Sequence, residues 1–207
     1  MRMALFGASG STGRRIVEKA VSEGHVVRVF GRSADRLPQA GPQIEVVEGD
    51  VFDTGDVQRA VEGSDAVIIA LGAPPSDRSG VRGSGTAHIL RAMGAAGVRR
   101  VVCMSCLGVG ESYGAQDWFT RRVVLDLWLW RVVADHAVQE ALLRESDRAW
   151  TIVRPPHLSD ATQGHVQTFG ATERAVASSV AREDLAAFLV DCAAGNRFVG
   201  EAVGVCA

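Results

Sequence analysis

Gly7-Ala8-Ser9-Gly10-Ser11-Thr12-Gly13 decides the reading of this chain. The apolar run Met3-Ala4-Leu5-Phe6 leads into it, and a helical pattern, Arg14-Arg15-Ile16-Val17-Glu18-Lys19-Ala20-Val21, leads out. Strand, glycine loop and helix in that order form the context of a dinucleotide-binding turn. One glycine allows the tight turn, one lets backbone N–H groups approach a pyrophosphate, and one lets helix and strand pack closely. The phosphates then meet the positive end of the helix dipole. Gly7, Ser9, Gly10, Ser11, Thr12 and Gly13 are therefore read as cofactor-binding positions. The competing reading is a tight strand-to-helix turn with no ligand.

The end of the second strand refines the ligand. His25-Val26-Val27-Arg28-Val29-Phe30 reads as a strand, and Gly31-Arg32-Ser33-Ala34-Asp35-Arg36 follows it. A site for NAD places Asp or Glu here to accept from the ribose 2′-OH. This chain places Arg32 and Ser33 there, with Arg36 four residues beyond Arg32. Guanidinium groups match phosphate in charge and geometry. The expected cofactor is NADP(H), its 2′-phosphate held by Arg32, Ser33 and Arg36. A solvated basic loop is the alternative, and Asp35 between the two arginines would blunt their field.

Length and composition bound the rest. The 207 residues fit one α/β domain with a sizeable core, and 47% hydrophobic against 22% charged residues is ordinary for a globular protein. A net charge of −2 gives a nucleic-acid partner no support. The chain opens directly on a strand and has no long uncharged apolar stretch, so no signal peptide, no membrane span and a cytoplasmic location are expected. Cys103 and Cys106 have CxxC spacing but sit in and just after a strand, and Cys192 and Cys206 supply no second pair. Reduced thiols and no metal site are the expectation.

Strands are read near 3–6, 26–30, 44–48, 66–71 and 99–104, and helices near 13–23, 54–61 and 79–96. That alternation predicts a doubly wound parallel sheet covered by helices on both faces, the Rossmann arrangement, in a single domain spanning 1–207. Ala66 to Leu71 is apolar throughout, as a strand buried on both faces should be. A long helix is expected over about 117–145, apolar nearly all round in its middle from Val123 to Val133. Its second apolar side would pack in the core, cover a substrate or join a homodimer; a monomer is the alternative. The strand Ala149 to Val153 then delivers Arg154-Pro155-Pro156-His157 to the carboxyl edge of the sheet, where ligands bind. A final helix is read at 182–193, with a short strand after it. The substrate pocket is expected in this C-terminal part.

These blocks carry a family likeness. Leu5 through Gly13, Arg32 through Pro38, Glu48-Gly49-Asp50-Val51 and Ala66 through Gly72 resemble the atypical short-chain dehydrogenases. Ala134-Asp135-His136, Leu143-Arg144-Glu145-Ser146 and Pro155-Pro156-His157 resemble, within them, the branch of the NADPH-dependent flavin reductase, also called biliverdin reductase B. The resemblance implies that Asp50 and Val51 contact adenine. It implies that Leu71 and Gly72 line the ribose and diphosphate, and that Pro155, Pro156 and His157 line the nicotinamide and substrate. Ser105-Cys106 stands where the family places a Thr-Ser or Ser-Ser pair beside the nicotinamide. A thiol is a weaker donor than a hydroxyl, so Cys106 departs from that pattern. His136 matches a family histidine and would face the pocket; a core or surface histidine is the alternative.

A second departure bears on mechanism. Most short-chain dehydrogenases use a Tyr-xxx-Lys pair for proton transfer. The single tyrosine here, Tyr113, has Asp117 four residues on, and the single lysine is Lys19. The expected activity is hydride transfer from NADPH to a flat, electron-poor small molecule, such as a flavin, a tetrapyrrole or a quinone-like acceptor. His157 would anchor the acceptor or supply a proton, with Ser105, Cys106 and His136 beside it. A non-catalytic NADP-binding sensor is the alternative from another class, and an epimerase or dehydratase-like enzyme is a third.

Overall fold

The computed structural model describes residues 1–74, 76–114, 118, 122, 129–161, 164–170 and 172–207. Strand β1 (Arg2–Phe6) lies at the centre of the sheet, paired in parallel with β2 (Val26–Gly31) on one side and β4 (Ala66–Ile69) on the other. Adding β3 (Ile44–Glu48), β5 (Arg100–Met104), β6 (Ala149–Arg154), β8 (Gln167–Phe169) and β10 (Glu201–Cys206) gives the order β3-β2-β1-β4-β5-β6-β10-β8. Every pairing in it is parallel except β10 with β8. The chain goes from β1 to β2 and β3 and then returns across β1 to β4. The crevice at that reversal, outside the carboxyl ends of the strands, is where such sheets bind ligands. Two short strands, β7 (His157–Ser159) and β9 (Ser179–Ala181), pair in a separate ribbon.

Alternation along the central strands divides the core in two. Met3 and Leu5 of β1, with Val27, Val29 and Ile68, face α1 (Ser11–Ser22) and α5 (Arg182–Gly195). Ala4 and Phe6, with Phe30, Val67 and Ile69, face α2 (Thr54–Val61), α3 (Val81–Ala96) and α4 (Trp130–Glu145). Met3 through Phe6 and Ala66 through Ile69 are fully buried. Each large apolar side chain buried in this way contributes about 1.5–3 kcal/mol relative to exposure, which explains why these strands read as unbroken apolar runs.

Most boundaries lie within two residues of the sequence reading, and α2 coincides with it. Helix α1 begins at Ser11 rather than 13, because Gly10 caps it. Strand β4 stops at Ile69, and α5 runs on to Gly195. The helix expected over 117–145 is described only as α4 from Trp130; of residues 115–128, Trp118 and Arg122 alone are described. The proposed homodimer face therefore lies mostly outside the described residues. The stretch read as apolar all round, Val123 to Val133, likewise lies mostly outside the described residues. The buried residues of α4 are His136, Gln139, Glu140 and Leu143, so its inward face is largely polar. No described helix is long and apolar enough to cross a membrane.

Candidate functional site

The glycine loop shows why glycine is required at two of its positions. Gly7 has φ +100°, and a Cβ there would lie 2.1 Å from the carbonyl oxygen of Ala70. A Cβ on Gly13 would lie 2.1 Å from the carbonyl oxygen of Gly7, so the first turn of α1 rests directly on the loop. Gly10 differs: the nearest atom to its Cβ position is the Gly7 oxygen at 3.4 Å, an ordinary contact. Its outer side is open. Gly10 caps α1 with no side-chain hydrogen bond, and no acidic residue stands in the first turn. The N-terminal N–H groups of a helix left in this state suit an anion.

A cleft of about 260 Å³ opens beside the loop. Gly7, Ser9, Arg32, Asp50, Val51, Leu71 and Gly72 all line it, and Phe52 and Pro74 join them. Asp50 is fixed at the end of β3: its N–H donates to Asp56 at 2.9 Å, and its carboxylate accepts from the Phe52 N–H at 3.0 Å. His88 on α3 meets the Val51 carbonyl at 2.9 Å, a supporting role the sequence did not suggest. Arg32 is exposed and makes no hydrogen bond or ion pair among the described residues. Asp35 forms no ion pair with it there either. Ser33 precedes a short 3-10 turn, Ala34–Arg36, without capping it through its side chain. Arg36 is exposed outside the cleft lining. Its carbonyl accepts from Arg14, which also reaches the Ser9 carbonyl at 3.4 Å. Arg14 thus ties the glycine loop to the basic loop, a link the sequence reading missed.

At the carboxyl ends of β5 and β6 stands a buried ionic network. The Ser105 hydroxyl donates to Glu140 Oε1 at 2.7 Å. Arg154 donates through Nε to the same oxygen at 2.9 Å and through Nη2 to Oε2 at 2.5 Å. Arg154 also reaches Glu111 at 2.8 Å. Ser105, Glu140 and Arg154 are 3%, 3% and 0% exposed. Burial opposes the charge of Arg154, but its bonds to Glu140 and Glu111 outweigh that and raise its pKa. Burial pushes the neighbouring Cys106 thiol up to about 12, helped by the Glu140 carboxylate, which disfavours the thiolate that a nucleophile needs. The network was legible only in part. A charged residue ending the apolar strand Trp150-Thr151-Ile152-Val153 signals a buried ion that needs a partner, but nothing local names Glu140.

The remaining predicted residues are spread more widely. His136 is buried on α4, its Nδ1 at 3.1 Å from Gln139, which in turn donates to Thr86 at 3.0 Å. Burial, then the nearby Arg82, lowers its pKa to about 4. It lines neither cleft and is corrected from a pocket residue to a neutral core group. Pro155 is buried, and its carbonyl accepts from the Leu107 N–H at 2.9 Å. Pro156 is half-buried, and His157 is exposed at the start of β7. A second cleft, of about 290 Å³, shares Pro74 and Asp77 with the first and continues to Arg82, Trp130 and Asp135. Asp135 caps α3 from outside, accepting from Arg82 N at 3.1 Å and Gly83 N at 2.9 Å. This cleft lies between α3 and α4, earlier in the chain than the expected C-terminal pocket. No cluster of three metal-ligating side chains occurs among the described residues.

Residues 7–196 match the NAD(P)H-binding family along nearly the whole chain. The chain belongs to that family. A (4-alkanoyl-5-oxo-2,5-dihydrofuran-3-yl)methyl phosphate reductase of Streptomyces griseus is 32% identical over 151 residues, which are 72% of this chain and 45% of that protein. A 3-diazoavenalumate denitrifying reductase of a Streptomyces species is 34% identical over 117 residues, 51% of this chain and 38% of the relative. The chain thus spans less than half the length of these curated relatives. Among solved structures, a short-chain dehydrogenase/reductase of Veillonella parvula in complex with NADP superposes with a TM-score of 0.86 at 20% identity, covering 100% of this chain and 94% of that one. An anaerobillin reductase of Escherichia coli gives 0.84 at 23% identity, covering 100% and 97%. These two likenesses establish the Rossmann fold.

Proposed function

We propose that the protein is an NADPH-dependent reductase that delivers hydride to a flat, electron-poor acceptor: a free flavin, a tetrapyrrole or a quinone-like molecule. The observation that carries the cofactor assignment is Arg32, unpaired among the described residues on the rim of the cleft where an NAD site would hold a carboxylate. The residues fit the cofactor. The start of α1, which has no side-chain cap, and the open side of Gly10 suit the diphosphate, Asp50 and Val51 the adenine, and Arg32 the 2′-phosphate. Bound NADPH would supply the hydride itself.

The chain's own groups bind, orient and exclude water. Lys19 lies on α1, paired with Glu23 at 2.7 Å, and no Tyr-xxx-Lys sequence exists. An acceptor that takes hydride into a conjugated system, without obligatory protonation by a tyrosine, suits that composition. The reductase names of the two Streptomyces relatives and the anaerobillin reductase support the same class. His157, exposed beyond the Pro-Pro segment, is assigned to the acceptor side as an anchor or proton donor. Replacing it with Ala should lower kcat or raise the acceptor KM about tenfold to a hundredfold, the low end for a positioned acid, while NADPH affinity holds. The decisive experiment follows NADPH oxidation with flavins, tetrapyrroles and quinones in turn. Oxidation that depends on one of these classes is the expected result. Tight NADPH binding with no turnover on any of them would favour a non-catalytic sensor.

A further inference from the structure

We propose, on the reductase reading above, that the second cleft is a subsite for an oxyanion arm, a carboxylate or a phosphate, carried by the planar hydride acceptor, and that Arg78, Arg82 and Arg131 hold that arm. All three arginines line this cavity between α3 and α4. Its volume of about 290 Å³ is close to the lower end for small-molecule sites, about 300 Å³. Two carboxylates, Asp77 and Asp135, line it too, and both are already engaged. Asp135 accepts from the N–H groups of Arg82 and Gly83 at 3.1 and 2.9 Å. Asp77 accepts from the Ser79 hydroxyl at 2.5 Å.

The arginines are less fully used. Arg82 is 8% exposed, and a guanidinium so buried needs strong partners. Its contacts are long: Nη1 reaches Asp135 at 3.4 Å and Nη2 reaches the Ala73 carbonyl at 3.3 Å, against about 2.7–2.9 Å for a charge-assisted bond. Its Nε is buried with no partner among the described residues. The Arg78 side chain is exposed and makes no hydrogen bond or ion pair there either. Arg131 is half-buried, and its guanidinium lies 4.9 Å from the centroid of the Trp130 ring. That cation–π contact steadies Arg131 at the cleft without engaging its in-plane N–H donors. Such donors match a carboxylate or phosphate in charge and geometry. Pro74 and Asp77 line both clefts, so the cavity adjoins the cofactor cleft. The field of Arg82 also reaches Cys106, just beyond the carboxyl end of β5. An arm held here keeps its ring beside the cofactor.

The test is calorimetric titration of the NADP-loaded protein with two pairs of probes that share a ring and differ in the arm: flavin mononucleotide with riboflavin, and biliverdin with its dimethyl ester. The native protein should bind the charged member of at least one pair about tenfold to a hundredfold more tightly, the value of one charge-assisted contact. Which pair shows the preference tells a phosphate arm from a carboxylate. Arg78→Gln combined with Arg131→Gln should remove most of the preference and leave the neutral members and NADP unchanged. Arg82 stays native in this test because it also braces Asp135. A general loss of structure would weaken the neutral probes and NADP as well, and Arg78→Gln alone, at an exposed position, then decides by the same comparison. Equal binding within both pairs, no binding of any of the four, or an undiminished preference in the substituted protein overturns the proposal. So does a parallel loss of NADP affinity in Arg78→Gln alone, which would give these arginines to the cofactor. If the preference is found but NADPH is oxidised by none of the acceptor classes, the reductase reading falls and the anion subsite stands. If NADPH reduces a neutral quinone and neither pair shows the preference, the reductase reading stands and the subsite falls.

Discussion

The two edges of the sheet each bury an arginine and partner it in different ways. Arg100 opens β5 at the amino edge, and Arg154 closes β6 at the carboxyl edge; they are 5% and 0% exposed. Arg100 reaches no carboxylate among the described residues. It donates to the carbonyls of Cys192 at 2.7 Å, Ala149 at 2.7 Å and Arg197 at 2.9 Å, and to the Thr151 hydroxyl at 2.8 Å. Two of those carbonyls belong to the last turn of α5 and the segment after it, where a cation complements the helix dipole. Burial lowers its pKa. Arg154 instead pairs with Glu140 and Glu111, and through Glu140 it holds Ser105. The amino-edge arginine staples elements together. The carboxyl-edge arginine organises side chains where a ligand is expected.

Substituting the two arginines tests that contrast and should give the largest effects. Arg154→Leu strands the Glu140 carboxylate in the core, with Arg144 at 3.7 Å as its remaining ion partner among the described residues. Breaking a buried pair from one side costs about 3–5 kcal/mol. Denaturant unfolding should show that loss, and calorimetry on the surviving folded protein should show weakened NADPH binding. Arg100→Leu leaves carbonyls unpaired, at about 1–3 kcal/mol, and should leave cofactor affinity untouched. Equal effects on binding from the two variants would erase the distinction between the edges.

Acid should find a second weak point near the carboxyl edge. His136 titrates at about 4 in the folded chain, against an ordinary 6.5. As pH falls below 6.5 the unfolded chain takes up a proton that the folded chain refuses. The stability present above pH 6.5 is therefore lost progressively on the way down to pH 4. The full loss is about 3 kcal/mol, at about 1.4 kcal/mol per pH unit. Unfolding measured across that window on the native protein and on His136→Asn should give a difference that shrinks with acidity. Parallel curves would mean that His136 titrates alike in the folded and unfolded chain.

Gly10→Val separates binding from folding at the same edge. The Cβ position at Gly10 has no neighbour closer than 3.4 Å, so thermal unfolding should be close to native. The side chain would occupy the approach to the N–H groups of α1. Losing even one charge-assisted contact, about 1.5–3 kcal/mol, weakens NADPH about tenfold to a hundredfold. Native affinity in the folded variant would show that the loop cradles no phosphate.

The halves of the molecule were unequally legible in the sequence. Gly7, Asp50 and Leu71 lie just after the strands that carry them and Gly13 lies in the first turn of α1, so strand ends and glycine spacing located that half of the cleft. The buried network could not be read in the same way. Ser105, Glu140 and Arg154 are far apart in the chain, and Glu140 on α4 looks like any exposed helical carboxylate until packing brings Arg154 beside it. His136 was misplaced for the same reason: position on a helix does not say which face is buried when that face is polar. Gln139 and Thr86, its hydrogen-bonded neighbours, carry no sequence signature.

A third arginine tests the account most directly. Arg32 is paired with neither carbonyl nor carboxylate among the described residues, and it stands on the cleft rim. NADPH and NADH should be titrated calorimetrically into the native protein and into Arg32→Ala. One charge-assisted contact to the 2′-phosphate, about 1.5–3 kcal/mol, predicts a native preference for NADPH of about tenfold to a hundredfold. Arg32→Ala should remove most of it while NADH affinity stays as it was. Equal affinities in the native protein, or a preference that survives the substitution, would contradict the account.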